Sequence, residues 1–228
     1  MKIKKKSKFK REKVMERAVK ISPFPHLDKA MERLQANKKK WVTLPLEKKI
    51  SYLENIRKNL AEVIDDWTKD SLRFKGLDPE SSENAVHLAY EYVNMVPLGY
   101  LINNQLSVLK KAKDLGNGDI LFPKPELKEN SNVGKQFFRV TPGSTADNLL
   151  QPGLTIDIWL EKGEMTQGKA LREAPEGRVC VILGGGNVNI IPAADSIHKL
   201  FTENQVVMVK YNPVNVTPQI KNYIIFTN

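Results

Sequence analysis

The stretch from Gly177 to Pro213 constrains the fold more than any other part of the chain. It opens with Val179 to Leu183, a short apolar run rich in β-branched residues. Such a run reads as a strand buried on both faces of a parallel sheet. Three glycines follow, Gly184 to Gly186. Ala194, Ile197 and Phe201 then mark one face of a helix,. Pro192 falls in its first turn, where a missing N–H costs nothing. Val206 to Val209 reads as a second buried strand. Strand, glycine turn, helix and strand form one βαβ unit of a nucleotide-binding kind. The expected fold class is α/β, with a helical N-terminal region leading into this unit.

Composition narrows the class. The 228 residues suffice for one or two domains with a proper core,. No apolar stretch approaches membrane-spanning length, and the N-terminus carries no apolar segment of signal-peptide type,. Cys180 is the only cysteine, which excludes an internal disulfide and a cysteine metal cluster,. A reducing, cytoplasmic setting is expected. The formal net charge of +10 is unevenly placed. Residues 1–20 hold eight lysines, two arginines and two glutamates, a net +8, so the rest of the chain is close to neutral. A basic arm of this kind is either a solvated tail or a contact for nucleic acid or an acidic partner.

In order along the chain, four regions are expected: a basic arm (1–22), a helical region (23–113), a loop or extended excursion (114–176) and a partial dinucleotide-binding unit (177–228). The prolines at 23 and 25 break any helix of the arm,. His26 beside them reads as a surface histidine, since no partner at metal-ligand spacing accompanies it. Leu27 to Asn37 forms a short helix. From Lys48 to Thr68 the strongest periodicity follows, with Ile50, Leu53, Ile56, Leu60, Ile64 and Trp67 as a packing face,. Glu54 and Lys58 stand four apart on its exposed side in the favourable order. Ser81 or Ser82 caps a helix over Glu83 to Val96, with Val86, Ala89, Tyr90 and Val93 as its core side,. A helical histidine, His87, reads as structural. Pro97-Leu98-Gly99 breaks or kinks that helix, and Leu101 to Ala112 forms another. After Asp114, glycines and prolines punctuate short runs, with a strand over Gln136 to Val140. Leu154, Ile156, Ile158 and Leu160 alternate with Thr155, Asp157 and Trp159, which predicts a half-buried strand,.

The glycine turn can carry chemistry. A helix start after a buried strand presents unpaired N–H groups, and glycine lets a pyrophosphate approach the backbone. The dinucleotide fingerprint is incomplete, because Asn189 stands where its third glycine belongs and Lys210 ends the second strand in place of an acidic residue,. Lys210 is either a strand-end lysine reaching solvent or a cation beside the adenosine ribose, compatible with a 2′-phosphate. Asn187 is either a helix cap or an amide donor to a developing oxyanion.

The segments Val181-Ile-Leu-Gly-Gly-Gly-Asn187, Pro192 and Val206-Val-Met-Val-Lys210 resemble, in order and spacing, the aldehyde dehydrogenase superfamily. In that family a strand runs into a Pro-Trp-Asn turn, a helix with an early proline, and a strand ending Val-Val-Leu-Lys-Pro. The resemblance extends loosely over residues 25–218 and is specific in 177–215. It implies an NAD- or NADP-dependent oxidoreductase that oxidises an aldehyde or reduces an acyl group. Asn187 then matches the oxyanion-stabilising asparagine. Leu183, Gly184, Gly185 and Gly186 match backbone positions lining the nicotinamide ribose and phosphates, and Lys210 matches the ribose-contacting lysine. Asn212 falls at the edge of the same site. Gly185-Gly186 replaces Pro-Trp, and Asn212-Pro213 replaces a small residue and a glutamate. The family's cysteine nucleophile and general-base glutamate lie beyond its Val-Val-Leu-Lys segment. Cys180 inside the first strand is expected to be buried and inert. The chain is therefore expected to be a truncated N-terminal part that turns over no substrate alone; a homo-oligomer is left open.

Overall fold

A computed structural model describes residues 23–115, 128–130, 135–142, 145–160 and 176–213. The basic arm, most of the 114–176 excursion and everything after Pro213 lie outside the described residues.

Helix α1 spans Pro25–Val42, with proline in its first turn, Asp28 near its start and Lys39 and Lys40 near its end. Those charges suit the helix dipole, and the helix outruns the expected Leu27–Asn37 at both ends. Helix α2 spans Leu46–Phe74. Its predicted stripe is the core stripe: Ile50, Leu53, Ile56, Leu60 and Trp67 are buried, and Ile64 packs partly buried against them. The helix runs on past Thr68 with Ser71 and Leu72 buried; the hydroxyls of Thr68 and Ser71 are satisfied by bonding back to the carbonyls of Ile64 and Trp67, 2.5 and 2.8 Å away,. Glu54 does not pair with Lys58. It meets Lys110 of the next helix at 2.6 Å, while Lys58 reaches Glu62. The helix ends in a Schellman arrangement, with Leu77 N–H donating to Leu72 O and Gly76 N–H to Arg73 O,.

Ser81 accepts from the Glu83 N–H ahead of a short 3-10 turn, Ser82–Asn84. Helix α3 then runs unbroken over Ala85–Leu115, with Pro97 inside it. The expected break does not occur. Proline removes one backbone donor, and the buried Met95 before it and Leu98 and Ile102 after it hold the helix against α2 on both sides of the gap,. The core face of α3 also differs from the expectation. Met95, Leu98, Ile102, Leu106 and Leu109 face inward, whereas Val86, Ala89, Tyr90 and Val93 are exposed.

A small antiparallel sheet follows, in order β1 (Lys128–Asn130), β2 (Lys135–Thr141) and β3 (Ile156–Trp159), with a short helix α4 (Thr145–Leu150) between the last two strands. Arg139 and Asp157 form a two-point ion pair across it, and Phe137 packs on Trp159 with ring centroids 5.0 Å apart. Of the face expected to be buried in β3 and its flanks, Leu160 is half-buried, whereas Leu154, Ile156 and Ile158 are exposed.

Strands β4 (Arg178–Leu183) and β5 (Gln205–Lys210) pair in parallel, from Arg178 opposite Gln205 to Leu183 opposite Lys210. Between them lies helix α5 (Ile191–Ile197), prolonged by a π-turn over His198–Thr202. The predicted strand–turn–helix–strand order is therefore present, within a mixed helix-and-strand architecture. Burial of β4 on both faces is not. Ile182 is buried, but Val181 and Leu183 remain 49% and 73% exposed, because two strands alone present a face that no other described element covers,.

One core joins these parts. Leu53, Trp67, Ile102 and Leu109 of the long helices pack with Ala193, Ile197 and Phe201 of the crossover segment. Each such buried aliphatic side chain contributes about 1.5–3 kcal/mol relative to exposure. Helix α1 lies against β4 and β5. Its Trp41 donates from Nε1 to Leu200 O at 3.0 Å and meets the Phe201 ring edge-on.

Candidate functional site

The candidate site is the end of the parallel pair where both strands finish. Strand register sets Leu183 beside Lys210, and the Gly184 N–H donates to Lys210 O at 2.8 Å. A Cβ on Gly184 would stand 2.8 Å from Pro192 Cγ, 3.3 Å from Lys210 O and 3.6 Å from Asn212 N. Gly184 is thus demanded by the close approach of helix and strand, and its position brings Leu183, Lys210 and Asn212 to one edge. Gly185 differs. A Cβ there would lie 3.5 Å from Asn187 Oδ1 and 3.7 Å from Ile191 Cδ1, which is ordinary contact. Internal packing does not require glycine at 185, which is half-buried and engaged in an interaction of its own.

The other expected site residues fall nearby. Asn187 is exposed, with its amide oxygen over Gly185, and Gly186 beside it is half-buried. Lys210 is exposed at the strand end, and Asn212 is half-buried and engaged in an interaction of its own. Between these two, burial pushes the Tyr211 phenol up, so it stays neutral at physiological pH,. The structure therefore brings Leu183, Gly184, Gly185, Gly186, Asn187, Lys210 and Asn212 to one end of one unit. Crevices at the carboxyl ends of parallel strands are where open α/β sheets take ligands.

Cys180 is half-buried rather than buried. Its place opposite Val207 sets it three residues before the strand end, about 10 Å from the glycine turn at the rise of a strand. No group of three or more His, Cys, Asp or Glu residues suited to a metal occurs among the described residues, and no described helix is long and apolar enough to cross a membrane. His26 and His87 are both exposed. No family model, curated protein or solved structure matches the chain.

Two supporting contacts were not foreseen from the sequence. Asn189, which occupies the third-glycine place, is buried and donates from Nδ2 to Ser71 Oγ on α2. The turn is thereby tied to the helical layer. At the other end of the unit, Lys49 is buried and donates to Asn204 Oδ1 at 2.9 Å and to Val42 O at 3.3 Å, under the Trp41 ring. Asn204 has a φ of +56°, a conformation asparagine tolerates better than most residues,. Desolvation lowers the Lys49 pKa to about 8,. The sequence signal for both contacts is faint: each is a polar residue inside an otherwise apolar pattern.

Proposed function

We propose that the strand-end face of the β4–β5 unit binds a dinucleotide, NAD or NADP, in the manner of the aldehyde dehydrogenase superfamily. The observation that carries this reading is the junction of Gly184 N–H with Lys210 O, which sets the glycine turn beside an exposed lysine at the carboxyl ends of two parallel strands. The residues present fit such a group. Gly185 and Gly186 would receive the phosphates against the backbone, and Lys210 would lie beside the adenosine ribose, where its charge tolerates a 2′-phosphate. Asn187 would direct its amide toward the substrate's oxygen. When bound, the dinucleotide supplies a hydride acceptor or donor.

Aldehyde chemistry of the superfamily type also needs a thiolate at the substrate carbon. The single cysteine stands back along β4 rather than at the turn. We therefore infer that these 228 residues bind the cofactor and do not by themselves turn over aldehyde. Titration of the chain with NAD and NADP, followed by calorimetry, tests the binding. Gly185→Val and Lys210→Ala are each expected to weaken it severalfold. Absence of binding at millimolar cofactor, or binding indifferent to both substitutions, would refute the site. Turnover of an aldehyde panel by pure protein would refute the second part.

The basic arm supports a separate reading, a non-enzymatic interaction protein that contacts nucleic acid or an acidic partner through residues 1–20. Its net +8 is the supporting observation. Salt-dependent retention on heparin, lost when those residues are deleted, is the outcome it requires.

A further inference from the structure

Helix α3 is apolar on two sides. From Ala85 to Val108 its only Asp, Glu, Lys or Arg is Glu91, and Glu91 is buried against Lys75. The inward face packs on α2. The outward face is also apolar, with Val86 79%, Tyr90 62% and Val93 62% exposed. At 100° per residue, Val86, Tyr90, Val93, Pro97, Asn104 and Val108 share one side, a stripe about 33 Å long. A surface helix of a globular protein ordinarily turns a charged face outward. A continuous apolar stripe of this kind marks an interface.

We propose that this stripe is where a second copy of the chain docks, with the two α3 helices antiparallel about a two-fold axis near Pro97. Two features select a second copy. The first is charge. This side of the helix is uncharged through its middle and basic at its end with Lys111, and the 3-10 turn leading into it carries the exposed Glu83. Antiparallel pairing about Pro97 sets Val86 opposite Val108 and Glu83 opposite Lys111, twice over. It also opposes the two helix dipoles. An isologous interface must be self-complementary, and this stripe is. The second feature is extent. Val86, Tyr90 and Val93 are each more than half exposed along a stripe about 33 Å long, and a two-fold axis covers that stripe on both copies at once,.

Sedimentation equilibrium of the full chain, with circular dichroism as a control for folding, tests the proposal. A concentration-dependent dimer is expected. Tyr90→Glu is expected to raise its dissociation constant at least about tenfold without loss of helix, since the residue is exposed in the single chain. Glu83→Lys and Lys111→Glu should each weaken the dimer about three- to tenfold, and the double swap should restore it. A chain that stays monomeric at concentrations on the order of 100 µM overturns the proposal. So does a dimer indifferent to Tyr90→Glu, which would place the contact elsewhere. A dimer that Tyr90→Glu disrupts but the double swap fails to restore overturns the antiparallel register.

Discussion

Replacing Lys49 by methionine isolates the electrostatic cost of one buried charge. The ammonium is buried between α2 and the turn into β5, held by Asn204 Oδ1 and Val42 O, with no carboxylate among the described residues bonded to it. Desolvation lowers its pKa from 10.5 to about 8. A folded-state pKa below the unfolded one means the folded chain binds fewer protons between the two values. Stability therefore rises with pH across that window. The full gap corresponds to about 3 kcal/mol. Between pH 7.5 and 9.5 the linkage relation gives a rise of about 2 kcal/mol, or about 1–2 kcal/mol with some water reaching the ammonium. The raised Tyr211 and Tyr92 phenols act with the opposite sign from about pH 9 upward, where unfolded phenols begin to ionise, and subtract only a small part of the rise below about pH 9.5,. Urea melts at pH 7.5, 8.5 and 9.5 read this directly, as a midpoint that climbs by roughly 0.5–1 M. In Lys49→Met the climb should vanish. The variant loses two hydrogen bonds but no longer buries a charge, so its stability at pH 7.5 should lie within about 1–2 kcal/mol of the parent. A variant that keeps the full pH-dependent rise would show that another group causes it.

Three further contacts should respond to single changes. Gly177 has a φ of +68°, and a Cβ there would stand 2.6 Å from Lys38 O, so Gly177→Ala should cost at least about 2 kcal/mol in thermal or urea unfolding,. Gly76→Ala, at a φ of +78° in open space, should cost only about 1 kcal/mol,. Lys75→Met leaves the Glu91 carboxylate buried without its partner and should cost about 2–3 kcal/mol, most of it recovered in the Lys75→Met/Glu91→Gln double variant,. Recovery of less than a quarter would mean that the pair is not the source of the loss.

The parts of the fold legible in the sequence are those whose pattern has one solution. In α2 the stripe from Ile50 to Trp67 is the only apolar face, so period and direction are fixed together. In the β4–α5–β5 unit the apolar runs, the glycines and Pro192 agree at every level. Helix α3 shows the opposite case. Its period is plain, but the chain is apolar on both sides from Val86 to Val108, so periodicity cannot say which side meets α2. The choice rests on tertiary fit: Met95, Leu98 and Ile102 lie over the α2 stripe, and Glu91 reaches Lys75. Strand β3 departs from its expected burial for a related reason. Alternation shows which residues share a face, and whether another element covers that face is a property of the rest of the molecule. At the candidate site, the strand-end place of Leu183 to Asn187 and Lys210 is legible because glycines and strand ends are visible in one dimension. Asn189 with Ser71 and Lys49 with Asn204 were not, since each joins residues more than a hundred positions apart.

The Asn189 contact bears on how the glycine turn could hold a dinucleotide at all. A glycine at this place is what the nucleotide fingerprint asks for, so the motif alone suggests that Asn189→Gly would improve binding. The structure argues the reverse. The turn residue proposed to meet the ligand, Gly185, lies six residues before the first residue of the crossover helix. Asn189 lies behind it, buried, with its side chain on α2 and its neighbour Ile190 in the common core. Those anchors fix where the turn stands relative to Lys210. Glycine at 189 would remove the bond to Ser71, costing about 1 kcal/mol net, and add backbone freedom worth a further 0.5–1 kcal/mol or so. Ser71 would keep its bond to Trp67 O, so the damage should stay local to the turn. The expected outcome is a chain less stable by about 1–2 kcal/mol whose NAD or NADP dissociation constant rises severalfold, as a mobile turn must be ordered at the moment of binding. Tighter binding by Asn189→Gly would mean that the fingerprint position, and not the helical anchor, governs the site.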